Sequence, residues 1–328
     1  MGFNVYFDSG TTNSRAYLLH NNELLCAHYK AVGTVDNVLH GDKTRLEQGL
    51  KELYDELLAK ANVKDSQVGG VYMSGMVTSL NGICEVPYLP TPLNAQDYRR
   101  GWFSFTPKLF GREVWLMTGV VALPSDEITV ENVEFVNNIR GEESEIFGIM
   151  AENPDLFEGR KCAVIMPGSH NHIIYVEGGR ITDITSCLGG ELYASVSQHT
   201  ILKASVSEKP DVIDPEYVAR GWFMVEKYGF NRALYIARAM TLFTKAGRIA
   251  IDSYMEGVVN AGIIKALCAN RAYKTLNSVI VAGSPLYHEI FSALLKAAGS
   301  DLSCKLVAPE ISFALSGFLH LFNQCDAV

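Results

Sequence analysis

The sequence has no Cys-x-x-Cys pair, no Cys/His cluster at metal-ligand spacing and no apolar run near the ~20 residues a membrane helix needs. Its longest apolar stretches, Trp115 to Leu123 and Val279 to Ala282, are strand-sized. The seven cysteines (Cys26, Cys84, Cys162, Cys187, Cys268, Cys304, Cys325) are scattered and odd in number, which fits reduced thiols and not a disulfide frame or a zinc site. Positive charge is scarce: 28 Lys and Arg face 36 Asp and Glu, a formal charge of −8. The chain as a whole therefore offers no electrostatic footprint for nucleic acid or an anionic membrane. Residues Met1 to Asp8 carry neither a basic leader nor a cleavage site, and Tyr6 stands where a myristoylation signal has Ser or Thr. The expectation is a cytoplasmic protein.

What is present reads as α/β. Hydrophobic residues make up 48% of the 328 residues and charged residues 20%, enough apolar material for roughly two domains at ~150 residues each. Residues 4–8, 15–20 and 24–32 are β-rich runs separated by the turns 9–13 and Asn21-Asn22, a three-strand meander. Asp42 then caps a predicted helix with Leu46, Leu50, Leu53 and Leu57 on one face. Buried strands at 70–73 and 114–117 each end in a small polar residue and glycine, where parallel sheets place ligands. Segment 84–113, rich in proline and aromatics, reads as an irregular excursion over the sheet edge.

After the polar stretch 153–161 the same grammar returns. Strand 162–166, turn 167–171, strand 172–176, turn 177–179 and strand 180–184 repeat the opening order of strand, Gly-hydroxyl turn, strand, tight turn, strand. An internal duplication follows: domains 1–155 and 156–328, expected to face one another across a cleft, with a last helix from about 311 to 323 near the hinge.

The chemistry concentrates at Asp8-Ser9-Gly10-Thr11-Thr12-Asn13-Ser14-Arg15. Glycine lets backbone N–H groups approach a phosphate, hydroxyls add neutral donors, and a strand-end aspartate can hold hydrated Mg²⁺. Gly-Thr-Thr alone is as well an ordinary hairpin turn. Strand-end Asp, following Arg and a second Gly-hydroxyl hairpin at Gly168, Ser169 and His170 together favour phosphate binding. In Arg140-Gly141-Glu142-Glu143-Ser144-Glu145, an acid at a helix start can take a proton from a sugar hydroxyl or merely complement the helix dipole. Adjacent helix positions point ~100° apart, so either Glu142 or Glu143 can aim well, but not both.

These blocks, with Ser74-Gly75-Met76-Val77, Gly190-Glu191-Leu192 and Val281-Ala282-Gly283-Ser284, resemble the 2-dehydro-3-deoxygalactonokinase family of the sugar kinase, heat-shock chaperone and actin superfamily. The resemblance covers essentially the whole chain and implies two ribonuclease-H-like α/β domains around a nucleotide cleft. It implies ATP and Mg²⁺ as cofactors, with Asp8 on the metal. Gly10, Thr11, Thr12, Asn13, Arg15, Gly168, Ser169, His170, Gly190, Gly283 and Ser284 would lie on the nucleotide. Glu142 would be the base, with Glu143 the second choice, and Ser74, Met76, Thr78 and Ser79 would meet the sugar acid. The implied reaction phosphorylates the 6-hydroxyl of 2-dehydro-3-deoxy-D-galactonate, with a small-molecule partner, no nucleic acid or membrane, and self-association left open. The sequence departs from the family at Met166, at Gly168-Ser169-His170-Asn171-His172 and at Gly189-Gly190-Glu191, so a kinase for another sugar acid or a ketose stays an alternative. A nucleotide hydrolase or switch of the same fold is the other one.

Overall fold

The computed structural model describes residues 2–42 and 44–323; Cys325 lies outside them. The chain forms two compact units. Unit 1 gathers the residues up to Leu156, the segment Gly179–Ile181 and those from Pro309 onward, and unit 2 gathers Phe157–Gly178 and Thr182–Ala308.

In unit 1, strands β1 (Phe3–Ser9), β2 (Ser14–His20) and β3 (Glu23–Lys30) form the meander. Val5, Tyr6 and Phe7 are all fully buried, because β1 is covered on both faces; hence its continuous apolar run, where the outlying β3 alternates. β3 stops at Lys30, short of the expected Val32, and the helix α1 (Thr34–His40) follows unannounced by any apolar period. Asp42 Oδ1 accepts the Thr44 N–H at 2.9 Å and starts α2 (Thr44–Ala61), whose Leu46, Leu50, Leu53 and Leu57 pack with Val5 and Phe7 in one core. Next come β4 (Val68–Gly75), β5 (Leu89–Pro90), α3 (Ala95–Arg100), β6 (Phe103–Phe105), β7 (Val114–Leu116), β8 (Val120–Ala122), β9 (Asn137–Ile139) and α4 (Glu142–Glu152). The main sheet runs β3-β2-β1-β4-β7-β6, and β5-β8-β9 make a second, three-stranded sheet. Segment 84–113 therefore contains β5, α3 and β6, elements of two to six residues that are too short to leave a periodic signal.

The other face of the main sheet carries aromatic stacking: Tyr6 lies on Phe318 at 4.5 Å and 5° between planes, and Trp102 stacks on the same ring. Phe318 belongs to the last helix, α11 (Phe313–Asn323). Helices α4 and α11 touch backbone to backbone at Gly148 and Gly317. A Cβ at Gly317 would stand 1.8 Å from the Ser144 carbonyl oxygen, and one at Gly148 would stand 2.1 Å from that of Phe313. Only glycine permits that approach.

The short α5 (Pro154–Phe157) joins the units. Unit 2 repeats the topology with β10 (Lys161–Met166), β11 (His170–Glu177), β12 (Arg180–Leu188), β13 (Ser278–Ala282) and β14 (Ser303–Val307) in the order β12-β11-β10-β13-β14. β10 pairs antiparallel with β11 and parallel with β13, as β1 does with β2 and β4. Helices α6 (Gly190–His199), α7 (Pro215–Tyr228), α8 (Phe230–Phe243), α9 (Arg248–Ala269) and α10 (Pro285–Ala297) complete the unit. α9 is buried along nearly its whole length, from Ile251 to Leu267, which is why it shows no narrow apolar stripe. No helix among the described residues is long and apolar enough to cross a membrane.

Candidate functional site

At the first turn, Asp8, the next-to-last residue of β1, stands opposite Arg15 on β2, with a guanidinium nitrogen 3.9 Å from Asp8 Oδ2. The Gly10 N–H bonds the Asn13 carbonyl at 2.8 Å and closes the loop, leaving Thr11, Thr12 and Asn13 exposed. The loop is backed by the start of α1: Val35 donates its N–H to the Thr11 carbonyl at 2.9 Å, and a Cβ on Gly33 would fall 2.2 Å from that oxygen. Ser14, buried beneath, donates to the Val32 carbonyl at 2.8 Å. The loop is thus fixed from behind while its hydroxyls and amides stay accessible, the arrangement an anion needs.

In parallel register beside β1, Asp8 pairs with Ser74 and Ser9 with Gly75. Gly75 adopts φ +86°, and a Cβ added to Gly141 would stand 3.4 Å from its Cα, so the end of β4 and the start of α4 are neighbours. Arg140 pins this corner. Buried, it donates from Nη1 to the Thr78 carbonyl and hydroxyl, at 2.7 and 2.6 Å, and from Nη2 to the Val86 carbonyl at 2.9 Å, with its guanidinium 4.0 Å above the Tyr88 ring. Nothing local in the sequence gives Arg140 this role, since its partners Thr78 and Val86 lie 62 and 54 residues away.

The α4 corner gathers carboxylates. Glu142 Oε2 accepts the Arg140 N–H at 3.1 Å and Glu143 Oε2 accepts the Gly141 N–H at 2.6 Å. Glu142 is half-buried, whereas Glu143 is 0% exposed. Burial, and then the charge of Glu142, push the Glu143 carboxyl up to about 8. Glu145 also rises to about 8, through burial and then the charges of Asp8, Glu142 and Glu143. Burial raises Asp8 as well; Arg15 opposes the shift and Glu142 adds to it. Asp8 and the acidic start of α4 therefore share one electrostatic environment. Glu145 was read from the sequence only as a dipole partner; its i, i+3 spacing from Glu142 was the signal that places it on the same side of the helix.

The four residues expected to meet the sugar fall into two pairs. Ser74 and Thr78 are 0% exposed, and their hydroxyls are engaged within the protein: Ser74 Oγ lies 2.7 Å from the Tyr6 hydroxyl, and Thr78 Oγ1 bonds the Gly75 carbonyl at 3.0 Å. Met76 and Ser79 are half-buried. A cavity of about 330 Å³ in unit 1, lined in part by Asn94, Phe147, Met150 and His320, includes none of the expected site residues.

In unit 2 the second turn, Gly168, Ser169 and His170, is exposed. The Gly168 N–H donates to Asn171 Oδ1 at 2.9 Å; Asn171 Nδ2 donates to Asn260 Oδ1 at 3.3 Å, and Asn260 Nδ2 to Glu256 Oε2 at 2.8 Å. Burial raises Glu256 to about 7. The Gly190 N–H bonds the Gly168 carbonyl at 2.9 Å and the Glu191 N–H bonds that of Ser169 at 3.0 Å, so the start of α6 seats the turn. His170 Nε2 lies 3.1 Å from Glu191 Oε2, both exposed. At the end of β13, Gly283 has φ +103°, and Ser284 Oγ accepts the Leu286 N–H at 3.2 Å to cap α10. The roles of Asn171, Asn260 and Glu256 are not legible in the sequence: Asn171 stands at the turn, but Asn260, which links it to Glu256, lies 89 residues further on.

Among the described residues there is no group of three or more His, Cys, Asp and Glu arranged to hold a metal. Asp8 alone, at the edge of a region in negative excess, suits Mg²⁺, a cation that commonly keeps several waters and takes one or two carboxylates plus substrate phosphates.

A sequence profile described as 2-keto-3-deoxy-galactonokinase matches residues 8–315. A 2-dehydro-3-deoxygalactonokinase of Escherichia coli (strain K12) is 24% identical over 210 residues, 64% of this chain and 62% of that protein. A probable 2-dehydro-3-deoxygalactonokinase of Rhizobium meliloti (strain 1021) is 23% identical over 63% of this chain and 60% of that protein. The chain thus spans less than two thirds of the length of these curated relatives. The crystal structure of a protein from Sinorhizobium meliloti, titled a 2-dehydro-3-deoxygalactonokinase on a provisional basis, superposes with TM-score 0.76 at 18% identity over 99% of this chain and 98% of that one. That likeness shows the shared α/β fold.

Proposed function

Since the chain belongs to the 2-keto-3-deoxy-galactonokinase family, we propose that it transfers the γ-phosphoryl group of ATP to the 6-hydroxyl of 2-dehydro-3-deoxy-D-galactonate. The observation that carries this reading is the meeting of Asp8 with the acidic start of α4 beside an accessible Gly-Thr-Thr turn. It supplies phosphate donors, a metal-binding acid and a proton acceptor within one unit, the parts a phosphoryl transfer requires.

Thr11, Thr12, Asn13 and the Gly10 backbone bind and orient phosphate oxygens, with Arg15 as the nearby cation. Gly168, Ser169 and His170 do the same from the second turn, while Gly190, Gly283 and Ser284 receive the nucleoside side. Asp8 holds hydrated Mg²⁺, which when bound neutralises charge on the transferring phosphoryl oxygens. Between the two candidate bases, exposure favours Glu142. It is half-buried and reachable, whereas Glu143 is sealed from solvent, and its carboxyl near 8 holds a proton at neutral pH. Glu142 takes the proton of the attacking hydroxyl as the P–O bond to ADP breaks. Ser74, Thr78 and Arg140 hold the segment that presents Met76 and Ser79 to the sugar acid.

The test is ADP release with MgATP and a panel of sugar acids and ketoses, with a sugar-free control. Strong stimulation by 2-dehydro-3-deoxy-D-galactonate alone is the expected result. Stimulation by a different sugar keeps the chemistry and replaces the substrate; phosphate release without any sugar overturns the kinase reading.

A further inference from the structure

Two exposed surfaces have no part in phosphoryl transfer, and they are opposite in charge. The first is the connection between β8 and β9. Residues 123–136 carry Asp126, Glu127, Glu131 and Glu134 with no Lys or Arg among them, and expose Leu123, Ile128, Val130, Val133 and Phe135, with Val130 at 87%. This is an ordered loop. Asn132 ties it together, donating to the Glu127 carbonyl at 2.9 Å and to Ser125 Oγ at 3.2 Å while its Oδ1 accepts the Thr129 N–H at 2.8 Å. The apolar side chains are therefore held outward by a fixed backbone, so docking them costs little ordering entropy.

The second surface is the α8 to α9 corner of unit 2. Residues 227–250 carry Lys227, Arg232, Arg238, Lys245 and Arg248 with no Asp or Glu among them. Tyr235, Leu242 and Phe243 lie at i, i+7 and i+8 on one face of α8, all exposed, with Phe243 at 84%, and Ile249 is exposed at the start of α9. Among the described residues no carboxylate forms an ion pair with these five cations, and no cation with the four loop acids.

We propose that these surfaces are the two halves of one interface between copies of this chain: the acidic, apolar loop 123–136 of one copy seats on the basic, apolar α8–α9 corner of another. Copies with a net charge of −8 repel at long range, so attraction requires an approach that brings the local basic surface against the local acidic one. Apolar side chains in the middle of each surface supply the area, and the surrounding charges fix the pairing. Because the halves are different patches, each contact joins the loop of one copy to the corner of the next, and the number of copies in the assembly is set by whether the rotation between them closes.

The test measures mass by sedimentation from ~1 to ~100 µM, a range that captures interfaces of ordinary affinity. The unaltered chain is expected to exceed one chain's mass and to lose association as salt is raised. Lys245→Glu with Arg248→Glu in one protein, or Glu127→Lys with Glu134→Lys in another, leaves each alone as a monomer with an unchanged melting temperature. Mixing the two variants restores association, since the reversed corner meets the reversed loop and the unaltered loop meets the unaltered corner. A chain that stays monomeric throughout overturns the proposal. So does association that both reversals leave intact, or a mixture of variants that does not reassemble.

Discussion

The two Gly-hydroxyl turns stand on the same frame and are supported by opposite chemistry. Each follows the first strand of a sheet whose first four strands are ordered 3-2-1-4, between antiparallel neighbours, and each is seated by a nearby helix start. At the first turn the next-to-last residue of the strand is Asp8, in the field of the Glu142 and Glu145 carboxyls. At the second the strand ends in Met166, and the nearest buried carboxylate in the chain of hydrogen bonds, Glu256, lies two amides behind the turn through Asn260 and Asn171. A duplicated topology thus fixes where each turn stands. One strand-end residue then decides whether charge or neutral hydrogen bonding surrounds it.

The largest effect that sharpens this contrast is at α4. Glu142→Gln is expected to lower kcat about a thousandfold with little change in the KM for ATP, since it removes only the proton acceptor. Steady-state ADP release checks it, and a turnover within threefold of the unaltered protein would return Glu142 to a helix-capping role.

A pH titration of stability isolates the buried Glu143 carboxyl next. Glu143 ionises near 8 when folded against 4.5 as a free carboxyl, so between those values the native state holds a proton that the unfolded chain has released. Stability therefore falls as pH rises from about 4.5 to 8, with a slope of up to ~1.4 kcal/mol per pH unit from this group. In Glu143→Gln that part of the fall disappears, a difference of a few kcal/mol between pH 5 and 8 by urea denaturation. Equal slopes in the two proteins would mean that the buried carboxyl is not protonated.

The smallest effect belongs to the second turn. Asn171→Ala removes the acceptor for the Gly168 N–H and is expected to cost ~1–2 kcal/mol of stability. It should raise the KM for ATP roughly tenfold while kcat holds, because it loosens a ground-state phosphate contact. A loss of kcat as large as that of Glu142→Gln would erase the division between a charged and a neutral turn.

Much of the frame was legible because β1 and β10 are short apolar runs followed by Gly-hydroxyl turns, a local signal that repeats. α2 was legible from its leucine spacing and the Asp42 cap. α1 was not: seven residues with Thr34 and Asn37 as the buried positions leave no apolar stripe. At the site, Glu142 and Glu143 are neighbours in sequence and indistinguishable there, while the packed structure exposes one and seals the other. Local composition therefore determined the strands, the turns and the set of candidate side chains, since backbone preference and apolar period are properties of a few consecutive residues. Burial, shared charge and the ties from Arg140 to Thr78 and Val86 or from Asn171 to Asn260 depend on groups roughly 50 to 90 residues apart, and only the folded chain brings these into contact.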